Sequence, residues 1–237
     1  MRIIPTLLIS NKELVKTISF DVERYLGDPL NAIKLFNDYE AHELMILDIN
    51  CNEPDFNFLK KLASKSRMPI SYGGGINTLE QALEIIKIGF DKVVLSRLLI
   101  KDSSEVKRII KSLGSQSVVG CVEISYDPQG SRILRLDPKR QLSAFIDDVA
   151  GSGVGEVFLY DTYNEGRQNG LKTREFVKDS LNIEVPVVIG GGLSSYEELV
   201  DITKMNFDAI SVGSLFVFYG KRNAVLINYD IKKYGLY

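Results

Sequence analysis

The chain has 237 residues, and 29 Lys and Arg nearly cancel 31 Asp and Glu, leaving a formal charge of −2. With 45% hydrophobic and 25% charged residues it can bury a full core, which excludes global disorder. The near-neutral balance speaks against a nucleic-acid partner, whose phosphates need concentrated Lys and Arg.

In chain order, the opening apolar run at residues 3–9 reads as a strand. It is far short of the roughly 20 residues that cross a bilayer and lacks a small-residue cleavage site, so neither a membrane segment nor a leader is expected. Further β-branched runs follow at 44–49, 69–72, 93–96, 117–124, 157–161, 185–189 and 209–212. Segments of helical period lie between them at 29–39, 79–88, 105–113, 142–151, 173–182 and 196–205. No linker or low-complexity tract interrupts the alternation, so residues 1–237 are expected to form one α/β domain with eight parallel strands, a (β/α)8 TIM barrel. Two cysteines, Cys51 and Cys121, are too few for a disulfide framework or a zinc site, and fit a reduced, cytoplasmic compartment; no metal or cofactor is expected. The single histidine, His42, is a surface or half-buried residue at a strand start.

The strongest internal signal is a repeat. Pro69-Ile70-Ser71-Tyr72-Gly73-Gly74-Gly75-Ile76 matches Pro186-Val187-Val188-Ile189-Gly190-Gly191-Gly192-Leu193, an offset of 117 residues. The same offset carries Phe90-Asp91 onto Phe207-Asp208 and Ser96 onto Gly213. Glu43-Leu44-Met45-Ile46-Leu47-Asp48 matches Glu156-Val157-Phe158-Leu159-Tyr160-Asp161 at an offset of 113. A period near half the chain suggests a barrel built from two similar half-barrels, since solenoid repeats run only about 20–50 residues. Each Gly triplet ends a strand, where glycine lets the backbone approach an anion and aim N–H groups at it. Gly74, Gly75, Ser96 and Arg97 on one side, and Gly191, Gly192, Gly213 and Ser214 on the other, are therefore candidate phosphate cradles. They predict a small phosphorylated ligand, anionic at both ends, lying across the mouth. A tight βα turn is the plain alternative for either triplet alone.

Arg2-Ile3-Ile4-Pro5, Leu14-Val15-Lys16, Gly27-Asp28-Pro29, Glu43-Leu44, Leu47-Asp48-Ile49, Gly73-Gly74-Gly75-Ile76, Asp91-Lys92-Val93, Gly114-Ser115-Gln116 and Gly191-Gly192 occur in the order of one known family. Over nearly its whole length the chain resembles the cyclase subunit of imidazole glycerol phosphate synthase, the HisF-like family. The resemblance implies a barrel that receives ammonia from a glutaminase subunit and uses it on a bis-phosphorylated ribosyl substrate in histidine biosynthesis. It also implies a ring of four charges closing the channel floor, here Arg2, Glu43, Lys92 and Glu156. Such a ring could equally be a simple seal.

The family's cyclisation uses carboxylates at the ends of strands 1 and 5, where this chain has Leu8 and Glu123. Leucine transfers no proton. Glu123 and Lys16, the latter matching a lysine of the family's mobile loop, remain as the candidate catalytic residues. Asp48, Tyr163 and Glu165 complete the expected active face. Residues 163–167 depart from the family's Asp-Arg-Asp-Gly-Thr run, residues 125–135 lack its Gly-rich substrate loop, Arg97 replaces a threonine, and Tyr160 a smaller residue. Together with the stretch 213–229, Leu7-Leu8 resembles the branch associated with surface-polysaccharide biosynthesis. That resemblance implies a synthase subunit, of lyase or amidotransferase type, that conveys ammonia onto a phosphorylated or nucleotide-linked sugar, with a separate amidotransferase as a further partner. The alternatives are an authentic cyclase of histidine biosynthesis and a non-catalytic phosphosugar-binding scaffold.

Overall fold

A computed structural model describes residues 1–174, 183–205, 207–220 and 222–236. In chain order they form β1 (Arg2–Ser10), β2 (Glu13–Ile18), β3 (Val22–Gly27), α1 (Pro29–Asp38), β4 (Leu44–Asp48), α2 (Phe56–Ala63), β5 (Ile70–Gly73), α3 (Leu79–Ile88), β6 (Lys92–Leu95), α4 (Arg97–Lys101) and α5 (Ser103–Leu113). There follow β7 (Val118–Tyr126), β8 (Arg132–Leu134), α6 (Leu142–Gly151), β9 (Glu156–Asp161), β10 (Val187–Gly190), α7 (Tyr196–Thr203), β11 (Ala209–Val212), α8 (Ser214–Val217), β12 (Phe218–Tyr219) and β13 (Ala224–Val225). The helix expected at 173–182 lies outside the described residues except for its first two positions.

Strands β1, β4, β5, β6, β7, β9, β10 and β11 pair side by side in parallel, and β11 returns to pair with β1 through Arg2↔Ala209 to Pro5↔Val212. The sheet is thereby closed, and the chain is a single (β/α)8 TIM barrel. Period-two alternation sorts its side chains. On β9, Phe158 and Tyr160 point into the barrel with Ile4, Leu8, Met45, Leu47, Val94, Val119, Cys121 and Val188. Val157 and Leu159 face outward, into the layer shared with the helices. The helices start where local chemistry dictates: Thr78 and Gln81 form a capping box on α3, and Asp28, Asp55, Asp102 and Ser195 accept backbone N–H groups at the starts of α1, α2, α5 and α7. No helix among the described residues is long and apolar enough to cross a membrane.

The repeated Phe-Asp pairs have a visible structural job. Asp91 accepts the N–H of Ile70 at 2.8 Å and Asp208 that of Val187 at 2.8 Å, each carboxylate satisfying a donor at the start of the preceding strand.

The sequence reading did not foresee the β2–β3 hairpin, α2, or the short β8 and β12–β13 pieces. The hairpin follows β1 directly, with Leu8↔Val15 and Ile9↔Leu14 in antiparallel register. Its two tight turns are made by Asn11-Lys12 (φ 50° and 68°) and Ser19-Phe20 (φ 55° and 61°), left-handed pairs that lack the Asn-Gly or Asp-Gly signature of such turns.

Candidate active site at the barrel mouth

The floor of the barrel is built by Arg2, Lys92 and Glu156, which begin β1, β6 and β9, and by Glu43, just before β4. Arg2 donates to Glu43 at 2.9 Å and lies 3.0 Å from Glu156, while Lys92 lies 2.7 Å from Glu156 and 3.4 Å from Glu43. The four side chains form an unbroken ring in which each carboxylate meets both cations. The carboxylates are only 12% exposed, so their loss of water is compensated by two counter-charges each. Burial would lower Arg2, yet Glu156 and then Glu43 raise it above its ordinary value.

At the opposite end lies an open cleft lined by the first glycine turn, Asp48, Ser96, Arg97, Glu123, Arg135, Phe20 and Tyr160 among others; it encloses about 920 Å³, its open mouth included. Gly74 (φ +143°) packs so closely that a Cβ there would lie 2.6 Å from the carbonyl oxygen of Asp48, and one on Gly75 (φ +64°) 2.7 Å from the amide of Glu53. The turn thus needs glycine for its own packing, whatever it binds. Glu123 ends up fully engaged: Ser96 donates to its Oε1 at 2.6 Å and Arg135 to its Oε2 at 2.6 Å. Asp48 is different. Among the described residues it has no cation beside it, and burial pushes it up to about 6 against the hydrogen bonds from Cys51 and Tyr72. Tyr72 and Cys51 are raised in turn, by burial first and by Asp48 second. Arg97 is exposed at the rim and has no ion pair among the described residues.

The second glycine turn likewise holds two glycines at positive φ, in different company. Gly191 (φ +97°) and Gly192 (φ +93°) turn against residues 161–170; a Cβ on Gly191 would collide with the Asp161 carbonyl, and one on Gly192 would come 2.8 Å from the Cβ of Asn164. Asp161 is buried and raised by that burial, although Asn164 donates to it through both its backbone and side-chain nitrogens and Tyr126 donates at 3.0 Å. Beside Gly213 sits Lys16, carried there by β2. Its ammonium pairs with Glu165, both side chains 5% exposed, and stands 2.6 Å from where a Cβ on Gly213 would be. Burial draws Lys16 down to about 7. Around that pair the hairpin is fastened: Ser19 N–H donates to the Glu165 carbonyl at 2.9 Å, and Arg167 Nε donates to Ser19 Oγ and to the Tyr163 carbonyl at 2.9 Å each. Gly166 passes so near the Thr17 carbonyl that no side chain fits.

The expected residues therefore fall into three places. Arg2, Glu43, Lys92 and Glu156 meet at the floor. Asp48, Gly74, Gly75, Ser96, Arg97 and Glu123 share the cleft. Lys16 and Glu165 pair beside Gly213, while Gly191 and Gly192 turn against Asp161, Asn164 and Gly170; none of these, nor Ser214, lines the cleft. Leu8 is buried inside the barrel, and Tyr163 lies at the surface beneath the Arg167 guanidinium, 4.6 Å from its ring centroid. Two cleft residues were missed. Arg135 comes from just beyond β8 and was invisible because β8 was; Phe20 sits in the hairpin turn, edge-on to Tyr160 at 5.6 Å. Tyr160 in turn stacks on Phe158 at 4.8 Å, so an aromatic column runs along the inner side of β9.

A family model described as histidine biosynthesis protein matches residues 2–223. The chain is 38% identical to a provisionally named imidazole glycerol phosphate synthase subunit hisF2 of Pseudomonas aeruginosa, covering 98% of this chain and 97% of that one. It is 37% identical to a provisionally named subunit HisF of Leptospira interrogans (96% and 94% covered). With the imidazole glycerol phosphate synthase subunit HisF of Campylobacter concisus the identity is 31% (92% and 89% covered).

Proposed function

The chain belongs to the HisF-like family of imidazole glycerol phosphate synthase subunits, and from that premise we propose that it takes ammonia from a glutaminase subunit at the barrel floor and uses it at the mouth on a small phosphorylated substrate. The observation that carries this reading is the closed ring of Arg2, Glu43, Lys92 and Glu156 at one end of a barrel whose other end opens into a cleft holding carboxylates and a glycine turn. Ammonia is small and neutral, so a ring of paired charges can admit it while rejecting ions, which would have to shed water against fixed charges of both signs. At the mouth, an amine that bonds to carbon must lose a proton. Glu123 lines the cleft, held there by Ser96 and Arg135, and is assigned to receive it on a lone pair that those two contacts leave over.

Among the readings of the reaction, the relatives' names favour the imidazole-forming synthase step of histidine biosynthesis. Leu8 favours a changed acceptor, such as a sugar, because the strand 1 carboxylate is replaced by a buried leucine. Two assays separate them. Mixing the chain with a HisH-type glutaminase should stimulate glutamine hydrolysis several-fold, and no stimulation by any HisH-type partner tested would refute the shared reading. Complementation of a histidine auxotroph lacking the cyclase subunit should succeed under the synthase reading and fail under the sugar reading.

A further inference from the structure

We propose that Tyr160 is a catalytic residue of the mouth: its phenol hydrogen-bonds to, and then protonates, the substrate oxygen that gains charge when ammonia adds to a carbonyl carbon, while Glu123 takes the proton that the nitrogen loses. The inference rests on the mouth being the ammonia-using site. It deepens that reading by naming a proton donor where Leu8 can supply none, and a carbonyl as the reacting group of the acceptor.

Register places the two groups side by side. Glu123 pairs with Tyr160 across β7 and β9, and alternation sets both on the inner face, where Tyr160 packs with Cys121 and Phe158. Both line the cleft. Tyr160 is only 3% exposed, and its hydroxyl has no hydrogen-bond partner among the described residues, yet the oxygen still reaches the surface of the cleft. A phenol so enclosed costs stability unless a water or a ligand accepts from it. Its ring is held on two sides, stacked on Phe158 at 4.8 Å and met edge-on by Phe20 at 5.6 Å, so the donor is oriented before any ligand arrives.

Apart from the weak Cys121 thiol, the other neutral side-chain donors lining the cleft are committed. Ser96 donates to Glu123, Cys51 to the Glu53 carbonyl, Asn77 to the carbonyls of Asn52 and Gly75, and Asn50 to Ser10. Burial first, and then Cys121, Glu123 and Asp161, keep the Tyr160 phenol protonated beyond its ordinary range, so it meets the substrate as a donor. The step balances. The ammonia lone pair forms the N–C bond and the C=O π pair moves onto oxygen. Glu123 takes a proton from the nitrogen, and the oxygen takes the Tyr160 proton. The proton on Glu123 then passes to the phenolate, leaving a carbinolamine and both side chains as they began.

Tyr160→Phe removes the hydroxyl alone and keeps both ring contacts, so the variant should fold. The full chain, labelled with carbon-13 at the tyrosine ζ carbons, is titrated with ribulose 1,5-bisphosphate, a ketone with anionic ends, with binding followed by calorimetry. The resonance absent from the Tyr160→Phe spectrum belongs to Tyr160, and it should move more than that of any other tyrosine. With ammonium chloride as nitrogen source and the family's bis-phosphorylated ribosyl substrate, Tyr160→Phe should lower kcat by about a hundredfold or more and change KM by less than about threefold. Where the parent does not turn that substrate over, the labelled titration decides alone. Binding of the ketone without a dominant shift at Tyr160, no binding of it, or a Tyr160→Phe chain as active as its parent would each overturn the inference. Glutaminase stimulation reads the ammonia reading separately. Stimulation with a silent Tyr160 would remove this inference alone, and a dominant Tyr160 shift without stimulation would remove the ammonia route from below and leave the phenol as a donor to the bound carbonyl.

Discussion

Replacing Lys92 by Met keeps the stem of the side chain in the barrel floor and deletes only its charge. Lys92 holds Glu156 at 2.7 Å and Glu43 at 3.4 Å, and the variant would leave two carboxylates, each 12% exposed, facing Arg2 alone. At about 3 Å and an effective dielectric near 20 each attraction is worth roughly 5 kcal/mol before desolvation. Relief of repulsion from Arg2 and of the cost of partly burying the ammonium return much of that sum. Fully buried pairs cost about 3–5 kcal/mol when broken, and this floor is partly open, with Arg2 39% exposed, so the expected loss is about 2–4 kcal/mol. Urea denaturation followed by circular dichroism at pH 7 measures it, provided the slope m is unchanged. Adding Glu156→Gln to Lys92→Met restores one cation to one anion around the intact Arg2–Glu43 contact, and the pair should recover at least about 1 kcal/mol relative to additivity. A single-variant cost below about 1 kcal/mol would mean that the ring behaves as ordinary surface charge. Strict additivity would mean that the four groups do not act as a unit. Either result would refute the reasoning.

The latch should show the same coupling: Lys16→Met and Glu165→Gln should each destabilise by about 3 kcal/mol and speed hydrogen exchange in β2, while the double variant recovers much of the loss. Gly191→Ala meets both a left-handed backbone and the Asp161 carbonyl and should cost more than about 2 kcal/mol, whereas Gly114→Ala, with φ +84° but open space around it, should cost about 1 kcal/mol in thermal melts. Asp48 is raised from 3.8 to about 6 by burial, so the folded state retains its proton longer than the unfolded chain and this group's contribution to stability falls as pH rises from about 4 to 6. Asp48→Asn should therefore stabilise the protein at pH 8 relative to its parent and lose that advantage below about pH 4, as read by denaturant midpoints across that range.

The barrel was legible because its signals are local. Eight β-branched runs at βα spacing and two Pro-flanked Gly triplets name the strands without knowledge of their neighbours. The floor ring was also legible, but from the family resemblance: Arg2, Glu43, Lys92 and Glu156 are charges at strand starts, and nothing in their spacing alone brings them together. The mouth was read less well, because its shape depends on the β2–β3 hairpin. Leu14-Val15-Lys16 could be noticed, yet Ser19-Phe20 carries no turn signature, and so neither the approach of Lys16 to Gly213 nor its meeting with Glu165, 149 residues apart, could be foreseen. Glu123 was singled out as a proton-transfer group. That Ser96 and Arg135 contact both its oxygens, while Asp48 meets no cation among the described residues, is a fact of packing rather than of pattern.

The seam between the first and last barrel strands imposes a schedule on synthesis. The partners of residues 2–5, at 209–212, are made some 200 residues after them, which at about 5–20 residues per second is about 10–40 s. Throughout that interval residues 2–5 have backbone groups without their final partners along the edge that β11 will take, while β2 can already cover that same edge further along, at Leu8–Ser10, and β4 soon after covers the opposite edge at Thr6–Ile9. The hairpin that later roofs the mouth is thus also the earliest available shelter for the strand that must wait longest, and shortening it should make nascent chains more prone to aggregate before the cylinder can shut.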